Sequence, residues 1–183
     1  MTIWIGEIQW MLRNGFAYLR DPILRPLDNI QTLDALIDWT DPEHPTEADW
    51  PDAEVIIGNP PFLGRKLLRS NLGDHYVDAL YRVFDGRVPR QADFVTYWHE
   101  KARAMVQAGR AKRVGLLATQ GIRGGANRQV LERIKETGDI FVAWSDQPWV
   151  LSGANVHVSS KLELLPAPDD HRLVLAVLAH LRG

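Results

Sequence analysis

Residues 55–62 read Val55-Ile56-Ile57-Gly58-Asn59-Pro60-Pro61-Phe62, an apolar run that stops at an asparagine and two prolines. A short apolar run without polar alternation is typical of a strand covered on both faces of a parallel sheet. Consecutive prolines cannot continue a hydrogen-bonded ladder, so the strand must end there. The stretch therefore predicts a buried strand over residues 53–58, followed by a conformationally restricted loop.

The flanking sequence alternates strand-like apolar runs with amphipathic helical segments. Helices are predicted from the amino terminus to Asn14-Gly15, over residues 74–84, over residues 93–108 with Asp93 as the cap, and over residues 127–137. Strands are predicted over residues 29–34, 114–119, 140–144 and 156–159, and a surface loop over residues 40–51. This alternation predicts an α/β fold, a Rossmann-like and mostly parallel sheet flanked by helices.

The loop after the apolar run carries groups that could hold an amine. Ligands of open parallel sheets bind beyond the carboxyl ends of the strands, which is where Asn59 to Phe62 would lie. The Asn59 side-chain oxygen and the Pro60 carbonyl oxygen could each accept one amine hydrogen, and Pro61 helps to fix the backbone in advance. Phe62 offers a flat face for an aromatic base. The alternative is a strand-terminating turn with a buried phenylalanine.

Composition excludes several classes of protein. The 183 residues include no cysteine, so disulfides, thiolate metal sites and cysteine nucleophiles are excluded, among them the covalent route to carbon-5 methylation of cytosine. The histidines lack ligand-like spacing, so no metal site is expected. No basic leader or membrane-spanning apolar stretch is visible, which predicts a cytoplasmic protein without a membrane partner.

Charge is unevenly distributed around the apolar run. Between Pro26 and Gly64 there are acids but no lysine or arginine, whereas Arg65, Lys66 and Arg69 follow immediately. A basic flank beside a pocket could bind the phosphate backbone of a nucleic acid. The alternative is an ordinary solvated face.

Residues 55–62 resemble motif IV of methyltransferases that act on the amino group of DNA adenine. Further stretches resemble the methyltransferase part of large single-chain, Type IIG-like restriction-modification enzymes, a class I S-adenosylmethionine-dependent family. They are Ile3-Trp4-Ile5-Gly6 with Gln9-Trp10, the stretch from Arg25-Pro26-Leu27 to Asp34-Ala35-Leu36, and residues 93–128 with Leu116-Leu117-Ala118-Thr119-Gln120 and Arg123-Gly124-Gly125-Ala126-Asn127. The similarity covers roughly residues 3–159, and motif IV is its most specific part.

The resemblance implies a cofactor, a partner and roles for individual residues. The cofactor would be S-adenosylmethionine, with Asp34 at the position of an acid that contacts the adenosyl group. The partner would be double-stranded DNA, bound through a longer parent protein. The target adenine would leave the duplex, stack on Phe62 and present N6 to Asn59 and Pro60. Arg65, Lys66 and Arg69 would then lie near the DNA backbone.

The chain also departs from this family. Neither the glycine-rich cofactor loop nor the acid ending the second strand precedes Asp34, so the first strands of the fold are missing. We expect residues 1–160 to be a partial catalytic domain and residues 161–183 an atypical tail with a helix. A fragment of this kind, bacterial or archaeal, would be weak or inactive alone, and an upstream fragment would supply the missing strands.

Several alternatives stay open. Gly121, Gly124 and Gly125, with Asp146 after the next strand, could imitate a cofactor loop, although their spacing fits poorly. The chain could instead be a protein glutamine N5-methyltransferase, because methylation of an amide nitrogen requires the same arrangement of acceptors. Cytosine N4 is another possible target. From a different class, the chain could be a non-catalytic remnant or interaction module.

Overall fold

The computed structural model describes residues 11–15, 31–143, 149–151, 154–156 and 177–180. The chain divides into two units, Met1–Leu33 and Asp34–Gly183. In the first unit a helix ends at Arg13 and the chain turns through Asn14 and Gly15. Gly15 has a φ of 74°, a left-handed conformation that favours glycine. The predicted end of this helix is confirmed, and its earlier residues lie outside the described part.

The second unit is built on a mixed sheet. Its strands are β1 (Ile37–Asp38), β2 (Thr46–Glu47), β3 (Ala53–Gly58), β4 (Ala111–Leu116), β5 (Asp139–Val142), β6 (Trp149–Leu151), β7 (Ala154–Val156) and β8 (Val177–His180). Four strands form one sheet in the order β3-β4-β8-β5. β3 and β4 are parallel, and β8 is antiparallel to both of its neighbours. The short pairs β1-β2 and β6-β7 are antiparallel.

Helices connect these strands. They are α1 (Leu68–Leu72), α2 (Asp74–Val83), α3 (Val95–Gln107) and α4 (Asn127–Thr137), with 3-10 turns at Arg65–Leu67 and Gln120–Arg123. The helices predicted over residues 74–84, 93–108 and 127–137 are confirmed to within two residues at each end. None of the helices in the described part is both long and apolar enough to cross a bilayer.

Two apolar clusters hold the helices on the sheet. In one, Ala102, Met105 and Val106 of α3 pack on the buried residues of β4. In the larger one, Phe84 and Tyr97 meet edge to face with ring centroids 5.2 Å apart. Aromatic pairs prefer such a geometry over a face-to-face sandwich. The predicted α/β fold class is confirmed.

Two predictions of secondary structure are wrong. Residues 31–34 form no strand, because the Asp34 carboxylate accepts hydrogen bonds from the backbone of Leu36 and Ile37, at 2.8 and 3.0 Å, and bends the chain. Asp side chains commonly compete with strands in this way. The helix predicted in the tail is wrong for Val177–His180, which is β8. Ladder bonds to strands on both sides outweigh the helical periodicity there.

Strand β3 is less buried than its sequence predicts. Val55 is 47% exposed and Ile57 is 81% exposed, while Ile56 on the opposite face packs against the α3 and β4 cluster. β3 ends the sheet order of the described strands. The prediction of a strand covered on both faces is therefore wrong, because, in the described part of the chain, a helix packs on only one face of β3.

A buried carboxylate joins α3 to α4. Glu100 is fully buried, and its two oxygens accept bonds from the Arg103 guanidinium at 2.8 Å and from the Arg133 guanidinium at 3.3 Å. A buried ion is tolerated when charge partners and hydrogen bonds replace its hydration shell. The arrangement fixes the position of α3 relative to α4, and both helices begin near the carboxyl edge of the sheet.

We expect Glu100→Gln to lower the free energy of unfolding by roughly 3 kcal/mol, because the buried Arg103 loses its carboxylate partner. The measurement is urea denaturation at neutral pH. The control is Glu132→Gln, which removes an exposed pair with Arg128 and should change the free energy by less than about 0.5 kcal/mol. Equal losses in the two variants would contradict a stabilising role for the buried network.

His99 is another buried polar group of α3. Its Nδ1 lies 2.9 Å from the Val95 carbonyl oxygen, and its buried Nε2 has no hydrogen-bond partner among the residues that the structure describes. Burial lowers the pKa of His99 to about 4, and the bond to Val95 only partly opposes this shift. The folded chain thus holds this imidazole neutral.

The low pKa of His99 makes folding stability depend on pH. The unfolded chain takes up a proton near pH 6.5 and the folded chain only near pH 4. The free energy of unfolding should therefore be highest above pH 6.5 and fall by roughly 3 kcal/mol from this group as the pH drops to 4. Urea denaturation of wild type and His99→Gln across this range measures the difference. Identical pH slopes in the two proteins would rule out this contribution.

Candidate active site

The parallel pair β3 and β4 brings two loops together. Gly58 and Leu116 are register partners at the carboxyl ends of the strands, and the Leu117 amide donates to the Gly58 carbonyl oxygen at 3.1 Å. A Cβ atom at position 58 would lie 3.1 Å from Leu116 Cδ2, so a larger side chain would push against β4. The loop that begins at Asn59 therefore lies directly beside the loop that follows β4.

The four motif residues differ in exposure. Asn59 and Pro61 are exposed, Pro60 is buried, and Phe62 is 38% exposed. The Asn59 side chain makes no hydrogen bond to any residue of the described part. The turn alternative requires a buried phenylalanine, and Phe62 does not meet that requirement. The motif thus combines a buried proline, Pro60, with an exposed polar side chain, Asn59, and a partly exposed aromatic ring, Phe62.

The loop after the motif is tied to the start of α3. The Phe94 amide donates to the Leu63 carbonyl oxygen at 2.9 Å, and the Arg65 amide donates to Asp93 Oδ1 at 2.9 Å. The prediction that Asp93 caps its own helix is wrong, because α3 starts at Val95 with no side-chain cap. The Asp93 carboxylate faces the neighbouring loops instead.

Asp34 is organised by three donors. Its Oδ1 accepts from the backbone of Leu36 and Ile37 and, at 3.2 Å, from the Tyr76 hydroxyl. Its Oδ2 accepts no hydrogen bond from the described residues. Burial, and after it the Asp34 charge, raises the pKa of Tyr76, so the phenol stays a neutral donor. The Trp39 ring lies 6.0 Å from the Tyr76 ring.

Tyr76 also connects Asp34 to the motif. Its ring meets Phe94 edge to face at 6.2 Å, and Phe94 is bonded through its backbone to Leu63, the residue after Phe62. Sequence reasoning missed Tyr76, because a tyrosine on the apolar side of a helix is ordinarily a core residue. The described part contains no group of three His, Asp or Glu side chains placed to bind a metal ion.

The basic residues after the motif fall into two kinds. Arg65 and Lys66 are exposed in the 3-10 turn that follows the motif loop, and their side chains form no ion pair with the described residues. Arg69 is paired with Asp74 at 2.7 Å and with Asp78 at 2.6 Å, which raises its pKa. Arg65 and Lys66 are therefore the more available cations.

Two comparisons with known proteins found a match. A family model described as the MmeI DNA-methyltransferase domain matches residues 2–159. A solved structure of the Type IIL restriction-modification enzyme MmeI in complex with DNA matches with a TM-score of 0.51 and 20% sequence identity, over 94% of this chain and 20% of that one. The chain thus spans about a fifth of the enzyme that it matches. No curated protein matches. Because the family model covers most of its length, this chain belongs to the MmeI DNA-methyltransferase domain family.

Proposed function

We propose that the chain carries the target-base site of a site-specific DNA adenine-N6 methyltransferase. The observation that carries the proposal is the motif itself. An exposed Asn59 with no partner in the described part stands next to a buried Pro60 and a partly exposed Phe62. They follow a strand that delivers them to the carboxyl edge of the sheet. Ligands of α/β sheets bind at this edge.

The motif would act by holding an NH₂ group. The Asn59 side-chain oxygen and the Pro60 carbonyl oxygen each accept one hydrogen of the amine. Two such acceptors draw the nitrogen toward tetrahedral geometry and localise its lone pair. Because Pro60 is buried and prolines restrict the backbone, little freedom is lost when the substrate arrives.

Phe62 would hold the ring that carries this amine. A base inside a duplex cannot reach the motif, so the adenine must first leave the stack. The open face of Phe62 can then stack on it, a contact worth about 1–3 kcal/mol. Stacking on one side and two hydrogen bonds at the edge together define the position of the exocyclic nitrogen.

Asp34 fits the adenosyl end of S-adenosylmethionine. Its Oδ1 is filled by three donors, whereas its Oδ2 is open within the described residues. An amino group of an adenine ring could donate to Oδ2. S-adenosylmethionine, when bound, supplies an electrophilic methyl group. The fixed carboxylate of this chain would orient the adenosyl group.

A further protein segment would complete the site. Val55 and Ile57 expose an apolar face of β3, and exposed apolar faces often mark interaction sites. We propose that an upstream fragment bearing the glycine-rich cofactor loop covers this face. The chain alone would then be weakly active or inactive, and a co-expressed upstream fragment would restore activity.

The test is methyl transfer from S-adenosylmethionine to unmethylated genomic DNA, with the upstream fragment present. We expect Asn59→Ala to reduce kcat about 10²-fold, because one acceptor of the amine is lost. Asn59→Asp keeps an acceptor oxygen and should retain more activity than the alanine variant. The measurement is incorporation of labelled methyl groups, followed by nucleoside analysis.

The matched control is Asn71→Ala, since Asn71 is an exposed asparagine on α1 whose amide bonds to Leu67. It should leave kcat unchanged. N6-methyladenine is the expected product. N4-methylcytosine, a methylated glutamine in place of methylated DNA, or full activity of Asn59→Ala would each contradict the proposal.

The basic turn after the motif would contact the DNA backbone. Replacing Arg65 and Lys66 by glutamate should weaken binding to duplex DNA and reduce the slope of log K against log salt by about two. Arg69→Glu should have a smaller effect, because its charge is already offset by Asp74 and Asp78. Fluorescence anisotropy at several salt concentrations measures both quantities.

The control for charge is Lys112→Glu. Lys112 is exposed near the amino end of β4, at the opposite edge of the sheet, where it pairs with Glu54. Its replacement should leave the salt slope as it is. An equal loss of binding in this variant, or no loss in the Arg65 and Lys66 variant, would remove the assignment.

A further inference from the structure

A carboxylate and an amide join the two loops of the candidate site. Asp93 Oδ1 accepts from the Arg65 amide at 2.9 Å, in the loop that follows β3 and the motif. Asp93 Oδ2 accepts from Asn127 Nδ2 at 2.7 Å, and Asn127 Oδ1 accepts from the Asp93 amide at 2.7 Å. The pair is thus reciprocal, with two hydrogen bonds in opposite directions.

The second loop is held by the same amide. Asn127 Nδ2 also donates to the Gly121 carbonyl oxygen at 2.8 Å, in the 3-10 turn that follows β4. Asn127 is 7% exposed, so water cannot readily replace these bonds. Rotating the amide by 180° would set its NH₂ against the Asp93 amide and its oxygen against the Gly121 carbonyl. Only one orientation satisfies all partners.

Close packing at Gly121 belongs to the same arrangement. A Cβ atom at this position would lie 3.2 Å from Asp93 Oδ2 and 3.4 Å from Thr119 Oγ1. The backbone of Gly121 is not in the left-handed region, so the demand for glycine here comes from space alone. The absent side chain lets the turn approach the carboxylate.

Asp93 makes these contacts in place of a local one. An acid just before a helix can cap it, a contact worth about 1 kcal/mol, yet α3 has no side-chain cap. The adjacent Phe94 amide donates to the Leu63 carbonyl oxygen, so Asp93 and Phe94 both form hydrogen bonds to the motif loop. The Asp93 carboxylate and the Phe94 amide are directed at the loop, while the Asp93 carbonyl oxygen accepts from Thr96 of α3.

We propose that Asp93 and Asn127 are positioning residues for methyl transfer. They fix Arg65 relative to the turn after β4, and the Phe94 amide next to Asp93 fixes Leu63, so the loop that also carries Asn59 and Phe62 is held in place. The inference rests on the proposed function for its consequence in catalysis. A displacement of about 1 Å in such a loop is enough to lower the rate of a positioned reaction strongly.

Chemically minimal substitutions separate this role from bulk packing. Asp93→Asn keeps the shape but sets its NH₂ group against a donor in either orientation, the Asn127 NH₂ or the Arg65 amide, and Asn127→Asp opposes two carboxylates. The double variant Asp93→Asn with Asn127→Asp restores a donor and acceptor between the side chains, but leaves the Gly121 carbonyl facing a carboxylate. Partial recovery is therefore expected. Gly121→Ala offers a second route, by pressing a methyl group on the Asp93 carboxylate.

Hydrogen exchange tests the loop contacts directly. In Asp93→Asn and in Asn127→Asp, exchange at the Arg65 and Phe94 amides should accelerate at least about tenfold, with partial recovery in the double variant. Glu100→Gln is the control, because it lowers stability from the middle of α3 without touching either loop. Unchanged exchange in Asp93→Asn, or the same local acceleration in Glu100→Gln, would overturn the proposal.

Kinetics test the consequence for the reaction. With the upstream fragment present, both single variants should lower kcat about 10- to 100-fold while the KM for S-adenosylmethionine stays within about twofold. Gly121→Ala should show a smaller loss, and Glu100→Gln should leave kcat unchanged below its melting temperature. A change confined to KM would overturn the positioning role. If the wild type transfers no methyl group, the proposed function fails with the catalytic role, while the exchange experiment still decides the loop contacts.

Discussion

The parallel pairing of β3 with β4 is the constraint on which the candidate site depends. The two strands run in register from Ala53 and Ala111 to Gly58 and Leu116, so both loops leave the sheet at the same level. The first loop carries the polar and aromatic side chains of the motif, and the second supplies a backbone against which the first is fixed. Among the residues that the structure describes, helices cover only one face of β3, and Val55 and Ile57 on the other face are exposed.

Rigidity at this edge comes from polar contacts more than from apolar burial. Asn59 and Phe62 are exposed, so burial cannot hold them. The loop is instead held by a proline on its buried side and by the hydrogen bonds of Asp93, Phe94 and Asn127. An open amine site needs this combination, since its acceptors must stay unpaired while their backbone stays still. The Glu100 network is separate from these contacts, since it joins α3 to α4 and bonds neither loop.

Much of this architecture follows from local sequence. The apolar run before Asn59 predicts a strand and its two prolines predict the stop, and both are found. The contacts of Asp93 could not be predicted, because its partners are 28 and 34 residues away and nothing in the spacing distinguishes them from a helix cap. The contact of Tyr76 could not be predicted for the same reason, since its partner Asp34 is 42 residues distant. The strand at Val177–His180 could not be predicted, because helical periodicity in a short apolar segment does not reveal the strands with which it pairs.

The most direct test of the account is a crystal structure of the chain, with the proposed upstream fragment, bound to S-adenosylhomocysteine and a duplex containing an unpaired adenine. The account predicts an adenine stacked on Phe62, with its N6 within about 3 Å of both Asn59 Oδ1 and the Pro60 carbonyl oxygen. An adenine bound elsewhere, or an Asn59 side chain turned away from it, would contradict the central claim.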